Sequence, residues 1–156
     1  LNGKSRELML KIGDKAPDFT LPADDGGQFT LSSMRGRRVF LWFFPEAGTP
    51  GCSLEGRGIR DHREYFDQYS IAIIGISFDG VAENAAFAQK HQFGFPLLSD
   101  TNHEVALAYG ACDSLKARYA GRLSFLIDPD GIVERVYDKV DPRDHAAQVL
   151  AEILGG

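Results

Sequence analysis

Apolar residues fall into short runs separated by polar, glycine-rich and proline-rich stretches, and the period of each run predicts an element. Val39-Phe40-Leu41-Trp42-Phe43-Phe44 is a continuous aromatic and β-branched run ahead of Pro45, the pattern of a strand buried on both faces. Residues 71–78 (IAIIGISF) repeat that pattern. Between them, Leu54, Ile59, Tyr65 and Phe66 alternate with Glu55, Arg57, Arg60, Asp61, Arg63 and Glu64, which predicts a polar-faced helix over 50–68, softened by Gly56 and Gly58. A second helix is expected over 82–91, carrying Ala86, Phe87 and Ala88, so strand, helix, strand, helix implies a parallel βαβ unit. Residues 96–99 form a short extended piece, Thr101 or Asn102 caps a helix through Tyr109, and Gly110 stops it. Residues 123–127 and 132–137 flank Asp128-Pro129-Asp130-Gly131 as an antiparallel hairpin, and an amphipathic helix over 144–154 ends the chain. At the front, residues 17–22 and 28–31 flank Asp24-Asp25-Gly26-Gly27, a second hairpin signal.

This order is that of a thioredoxin-like α/β three-layer sandwich, with a mixed central sheet and an N-terminal β-hairpin. A length of 156 residues without repeat or linker predicts one domain over 10–156. Residues 1–9, which lack an initiating Met and a signal-peptide core, are set aside as flexible or extraneous. The net charge of −5 argues against phosphate-backbone binding, since the only cationic concentration, Arg35, Arg37 and Arg38, marks a solvated strand entrance. No apolar run approaches the roughly 20 residues of a membrane span. Two cysteines are too few for a disulfide scaffold, so the thiols are expected to be chemical and their compartment reducing, most simply the cytoplasm. Four scattered histidines and two distant cysteines lack metal-ligand spacing, and no metal is predicted.

The stretch Pro45-Glu46-Ala47-Gly48-Thr49-Pro50-Gly51-Cys52-Ser53-Leu54-Glu55 puts one cysteine at a strand-to-helix junction. With Thr49 as cap and Pro50 at the first helical position, Cys52 lies in the first turn, where free N–H groups and the macrodipole favour a thiolate. The alternative, an inert core cysteine, sits poorly with flanking Gly, Pro, Thr and Ser.

Pro45-x-x-x-Thr49-x-x-Cys52, with Glu55 following, resembles the active-site signature of the peroxiredoxins. Thr49-Pro50-Gly51-Cys52 with Ile59-Arg60-Asp61, and Arg122-Leu123-Ser124-Phe125-Leu126-Ile127-Asp128-Pro129-Asp130-Gly131, resemble the bacterioferritin-comigratory, or Q-type, subfamily, and the likeness runs from about residue 10 to the end. The resemblance implies a thiol-dependent peroxidase that reduces hydrogen peroxide and organic hydroperoxides through a cysteine sulfenic acid, without metal, haem or flavin. Cys52 would be the peroxidatic nucleophile. The Thr49 hydroxyl would hydrogen-bond the peroxide, Arg122 would stabilise the thiolate and polarise the oxygens, Pro45 would shield the sulfur, and Glu55 would orient Arg122.

Many Q-type members carry a resolving cysteine five residues after the first, where this chain has Arg57. Cys112, just past the expected helix stop Gly110, is the remaining candidate. The Cys52 sulfenate then has three fates: attack by Cys112 of the same chain, attack by Cys112 of a second chain, or reduction by an external thiol, which is slightly favoured. The implied reductants are thioredoxin, glutaredoxin or a low-molecular-weight thiol, and the expected assembly is a monomer or weak homodimer. Two rivals share the fold. A thiol–disulfide oxidoreductase needs a C-x-x-C pair, and Thr49 occupies the first of those positions; a redox-inactive binding or holdase module leaves Thr49, Cys52 and Arg122 without a role.

Overall fold

The computed structural model describes residues 9–155, so most of the segment set aside above lies outside the described residues. A small antiparallel hairpin, β1 (Thr20–Pro22) and β2 (Gln28–Thr30), comes first. It leads through a 3-10 turn (Leu31–Met34) into β3 (Arg38–Phe43), the middle strand of a five-stranded sheet. Around β3 come α1 (Pro50–Asp61), α2 (Arg63–Gln68), β4 (Ile71–Ser77), α3 (Val81–His91), β5 (Leu97–Ser99) and α4 (Glu104–Tyr109). The chain closes with β6 (Leu123–Ile127), β7 (Val133–Tyr137) and α5 (His145–Gly155). Strand order is β5-β4-β3-β6-β7, parallel from β5 to β3 and antiparallel across β3-β6-β7, so the expected mixed sheet and N-terminal hairpin are both present.

Period-2 alternation along β3 separates two cores. Phe40, Trp42 and Phe44 enter one with Ile59 of α1, Phe66 of α2, Phe87 of α3, Phe93, and Val149 and Leu150 of α5. Val39, Leu41 and Phe43 enter the other with Val105, Ala106 and Tyr109 of α4, Leu31, and the hairpin residues Phe19 and Phe29. Helices α1, α2, α3 and α5 therefore form one layer, the sheet a second, and α4 with the hairpin a third. Trp42 is fully buried, 4.7 Å from the Phe44 ring and edge-on to Phe93 and Phe95. Gly56 is needed for close packing: a Cβ there would run into the Phe93 ring.

Two element boundaries differ from expectation. The helix predicted over 50–68 breaks at His62, which leaves the helical region (φ −105°, ψ 4°) while its Nδ1 lies 2.7 Å from the Gly58 carbonyl. The polar spacing runs on unbroken, so nothing in the pattern marks that break. Neither Thr101 nor Asn102 caps α4. His103 holds the cap position with a left-handed backbone (φ 64°), and the buried Asp100 carboxylate accepts the Val105 and Ala106 N–H groups at 3.3 and 2.8 Å. Gly110 ends α4 as expected, at φ 79°.

Candidate active site

β3 ends against Pro45, and residues 46–49 turn sharply, with Gly48 at φ +82°, a conformation that costs glycine little. Thr49 is the N-cap residue and Pro50 begins α1, as predicted. The predicted capping bond is absent. Thr49 has an extended backbone (φ −77°, ψ 154°), and its hydroxyl donates instead to the Glu46 carbonyl at 2.7 Å. The Thr49 oxygen is thus left with lone pairs to offer and no proton. The helical ladder starts with Ser53 N–H to Thr49 C=O at 2.9 Å, so the Gly51 and Cys52 amides precede the first helical bond. Cys52 occupies that positive helix end with its side chain buried among Phe44, Phe93 and their neighbours.

Arg122 reaches this point from the strand opposite. It immediately precedes β6, two residues before Ser124 and four before Leu126, so strand alternation turns it to the α1 face. Its Nη2 lies 3.6 Å from Cys52 Sγ and its Nη1 donates to Glu55 Oε1 at 2.6 Å. Gly51 makes room for this approach, since a Cβ there would stand 3.0 Å from Nη2. Glu55 projects from the next turn of α1 and is buried. Burial pushes its carboxyl up to about 7 from an ordinary 4.5, against the pull of Arg122, and Oε2 has no hydrogen-bond partner among the described residues. For Arg122, burial works against the charge, while Glu55 and Cys52 more than offset it and hold its proton above the ordinary affinity. His145 of α5 is buried on the same face with Nε2 2.8 Å from Ser124 Oγ, and burial lowers it to about 4.

Cys52, Glu55 and Arg122 are thus brought into contact, with Thr49 at the N-cap of the same helix and Pro45 at the head of the turn that leads into it. Cys112 is not among them. It lies after α4 in the core on the other face of the sheet, with its thiol 3.9 Å from the His103 carbonyl. Arg57, in the position of the missing second cysteine, points to solvent. Two residues of the site escaped sequence reasoning: Gly51, whose signal was its place beside the cysteine, and Asp79, which carries no motif spacing yet accepts the Ala47 N–H of the turn at 2.8 Å. No cluster able to hold a metal occurs among the described residues.

The arrangement is suited to a sulfur nucleophile: a helix N-terminus, one guanidinium on the sulfur, one acceptor oxygen nearby, and apolar walls. Comparison with known proteins agrees. The AhpC/TSA family model matches residues 12–136. Peroxiredoxin Bcp of Escherichia coli is 39% identical over 146 residues, covering 90% of this chain and 94% of that protein. Among solved structures, peroxidoxin BcpB of Mycobacterium tuberculosis superposes with a TM-score of 0.86 at 35% identity, covering 94% of this chain and 97% of that one. The bacterioferritin comigratory protein of Xanthomonas campestris, studied for its alkyl peroxide reduction activity, gives a TM-score of 0.82 at 30% identity, covering 88% and 90%.

Proposed function

The chain belongs to the AhpC/TSA family and is a thiol-dependent peroxidase of the peroxiredoxin kind, and we propose that Cys52 is the sulfur that takes the peroxide oxygen. The observation that carries this assignment is the Arg122 fork, with one arm 3.6 Å from Cys52 Sγ and the other anchored on Glu55. The substrate is hydrogen peroxide or an organic hydroperoxide. As the sulfur attacks the terminal oxygen, the S–O bond forms, the O–O bond breaks, and charge moves from sulfur to the departing oxygen. That oxygen leaves as water or an alcohol once protonated, so one thiol and one hydroperoxide give one sulfenic acid and one hydroxyl product. Donors fixed where charge develops stabilise the transition state more than the resting thiolate. Arg122 supplies such a donor through Nη2, held in a rigid plane by the arm on Glu55, and the Gly51 and Cys52 amides add the helix end. Thr49, its proton already given to Glu46, accepts from the peroxide O–H and so orients the terminal oxygen toward the sulfur. Pro45 closes the pocket from the strand side and Glu55 holds Arg122 in place.

For the second half of the cycle we propose reduction by an external thiol: a thioredoxin-type protein, glutaredoxin or a low-molecular-weight thiol. One thiol condenses with the sulfenic acid to release water and form a mixed disulfide, and a second thiol frees Cys52. The position of Cys112 behind the sheet supports this route over an internal disulfide, whose Cα atoms must come within about 7 Å. The sulfur itself carries the redox change, so the cycle calls on no metal, haem or flavin. We place the enzyme in the reducing cytoplasm, acting as a monomer or weak homodimer with residues 10–156 as one domain.

Intact mass under non-reducing conditions after one equivalent of hydrogen peroxide, with wild type and Cys112→Ser compared, tests both halves. Dimedone-trappable sulfenate on Cys52 in both proteins is the expected result. Loss of two hydrogens in wild type alone would make Cys112 the resolving residue, and an unmodified chain would refute the assignment of Cys52.

A further inference from the structure

The turn that presents Thr49 is held from outside by a polar bracket that the reaction does not itself require. The Ala47 N–H donates to Asp79 Oδ2 at 2.8 Å, and the Ser77 hydroxyl donates to the same oxygen at 2.7 Å. The Asp79 N–H returns a bond to Ser77 Oγ at 3.2 Å. Ser77 ends β4 in register with Ser99 of β5. It lies 3.3 Å from Asn84 Oδ1, and the Asn84 amide donates to the Leu98 carbonyl and Ser99 hydroxyl, each at 3.3 Å. Ser77, Asn84 and Ser99 are all buried, so the bracket is anchored in the sheet and α3. From the turn it reaches the reacting atoms in two steps. Ala47 and Gly48 are the central residues between Glu46 and Thr49, and the Glu46 carbonyl is the acceptor that takes the Thr49 hydroxyl proton. If the turn rotates, that carbonyl moves and the Thr49 hydroxyl regains a free proton in place of a directed lone pair.

Resting on the peroxidase function above, we infer that Asp79 is a positioning residue for peroxide: by clamping the Ala47 amide it keeps the Thr49 oxygen an acceptor aimed at the substrate. Cys52 and Arg122 are not in the bracket, so Asp79 acts on substrate orientation and leaves the sulfur's own reactivity alone. Both side-chain bonds fall on Oδ2, so a single carbonyl oxygen satisfies them, and an asparagine retains what alanine removes.

The test measures two rates at Cys52 in a Cys112→Ser background: oxidation by hydrogen peroxide in stopped flow, and alkylation by iodoacetamide, which has no O–H for Thr49 to accept. Asp79→Ala is expected to slow oxidation about tenfold and leave alkylation unchanged, since misplacing an orienting group costs rate at this scale. Asp79→Asn should restore most of the loss. Asp79→Ala should add nothing in a Thr49→Val chain, because residues acting as a unit are non-additive. An equal fall in both rates, or full additivity with Thr49→Val, overturns the inference and leaves Asp79 a scaffold residue. A parent chain that alkylates but ignores peroxide overturns the peroxidase function itself and this inference with it, and is told apart because no substitution at Asp79 is involved.

Discussion

The two cysteines share almost everything that exposure can measure: both are free, both are buried, and each lies just beyond the end of a secondary-structure element or just inside the start of one. Their electrostatic surroundings are opposite. Cys52 stands at a helix N-terminus with a guanidinium 3.6 Å from its sulfur. Cys112 follows a helix C-terminus, where the macrodipole is negative, and burial pushes its thiol up with Asp100 and Asp113 adding to the effect against one backbone bond from Ser114. The same contrast holds for the carboxyls beside them. Glu55 is raised by burial and opposed by a cation, whereas Asp100, also raised by burial, is opposed chiefly by the Ala106 and Val105 amides. Burial sets the cost of a charge on either face, and beside Cys52 a guanidinium in direct contact with the sulfur and with Glu55 works against that cost, whereas Asp100 is held mainly by backbone amides with a smaller contribution from His103.

The most severe break of this comparison is to delete each sulfur in turn. Cys52→Ser should abolish peroxide consumption in a coupled assay, while Cys112→Ser leaves the rate of Cys52 oxidation unchanged; a matching loss in both would mean the two thiols work as a pair. Next in size is removal of the cation. Arg122→Ala should lower the second-order rate with hydrogen peroxide by about 10²–10³-fold, the scale of an oxyanion-type donor, and Arg122→Lys should recover only part of it because the fork is lost. A gentler comparison labels the native protein with iodoacetamide near neutral pH and follows each site by peptide mass. Cys112 should react more slowly than Cys52, because burial and the carboxylates of Asp100 and Asp113 disfavour its thiolate; equal labelling would contradict the electrostatic contrast.

The smallest expected effect is on stability against pH. Glu55, raised to about 7 from 4.5, keeps a proton that the unfolded chain gives up, so its contribution is complete below pH 4.5 and is lost as pH rises through 7. His145, lowered to about 4 from 6.5, has the opposite sign: its contribution is present above pH 6.5 and is lost as pH falls through 4. Wild type should therefore show a shallow Tm profile across this window, Glu55→Gln a Tm that falls more steeply with acid, and His145→Gln one that falls less. Calorimetry at half-unit steps reads these slopes, and identical profiles in all three would remove the linkage argument.

Much of the scaffold was legible because central strands buried on both faces must be almost wholly apolar, and 39–44 and, Ser77 apart, 71–78 are. Cys52 was legible for the same local reason, as Pro50 and Thr49 mark a helix start on their own. Arg122 was not: nothing local separates it from any arginine ahead of a strand, and only the family resemblance singled it out. Its contact with Cys52 spans 70 residues of sequence. Once the strand pairing is known, alternation along β6 explains its direction. The His62 break and the Asp100 cap were hidden because side chains replace backbone partners there without altering the apolar period. Asp79 was hidden more thoroughly, being one acid among many until the fold sets it beneath Ala47.

The packing of Trp42 gives the molecule an optical asymmetry. It is the chain's single tryptophan, and its indole contacts Phe93, the ring on which Gly56 of α1 rests. Any lifting of α1 as Cys52 changes oxidation state is one ring away from the fluorophore. Events at Cys112 are screened from it by the sheet. Emission at tryptophan wavelengths is therefore expected to follow one thiol and not the other, a signal that would date the first step of turnover without a dye, a tag or a coupled enzyme.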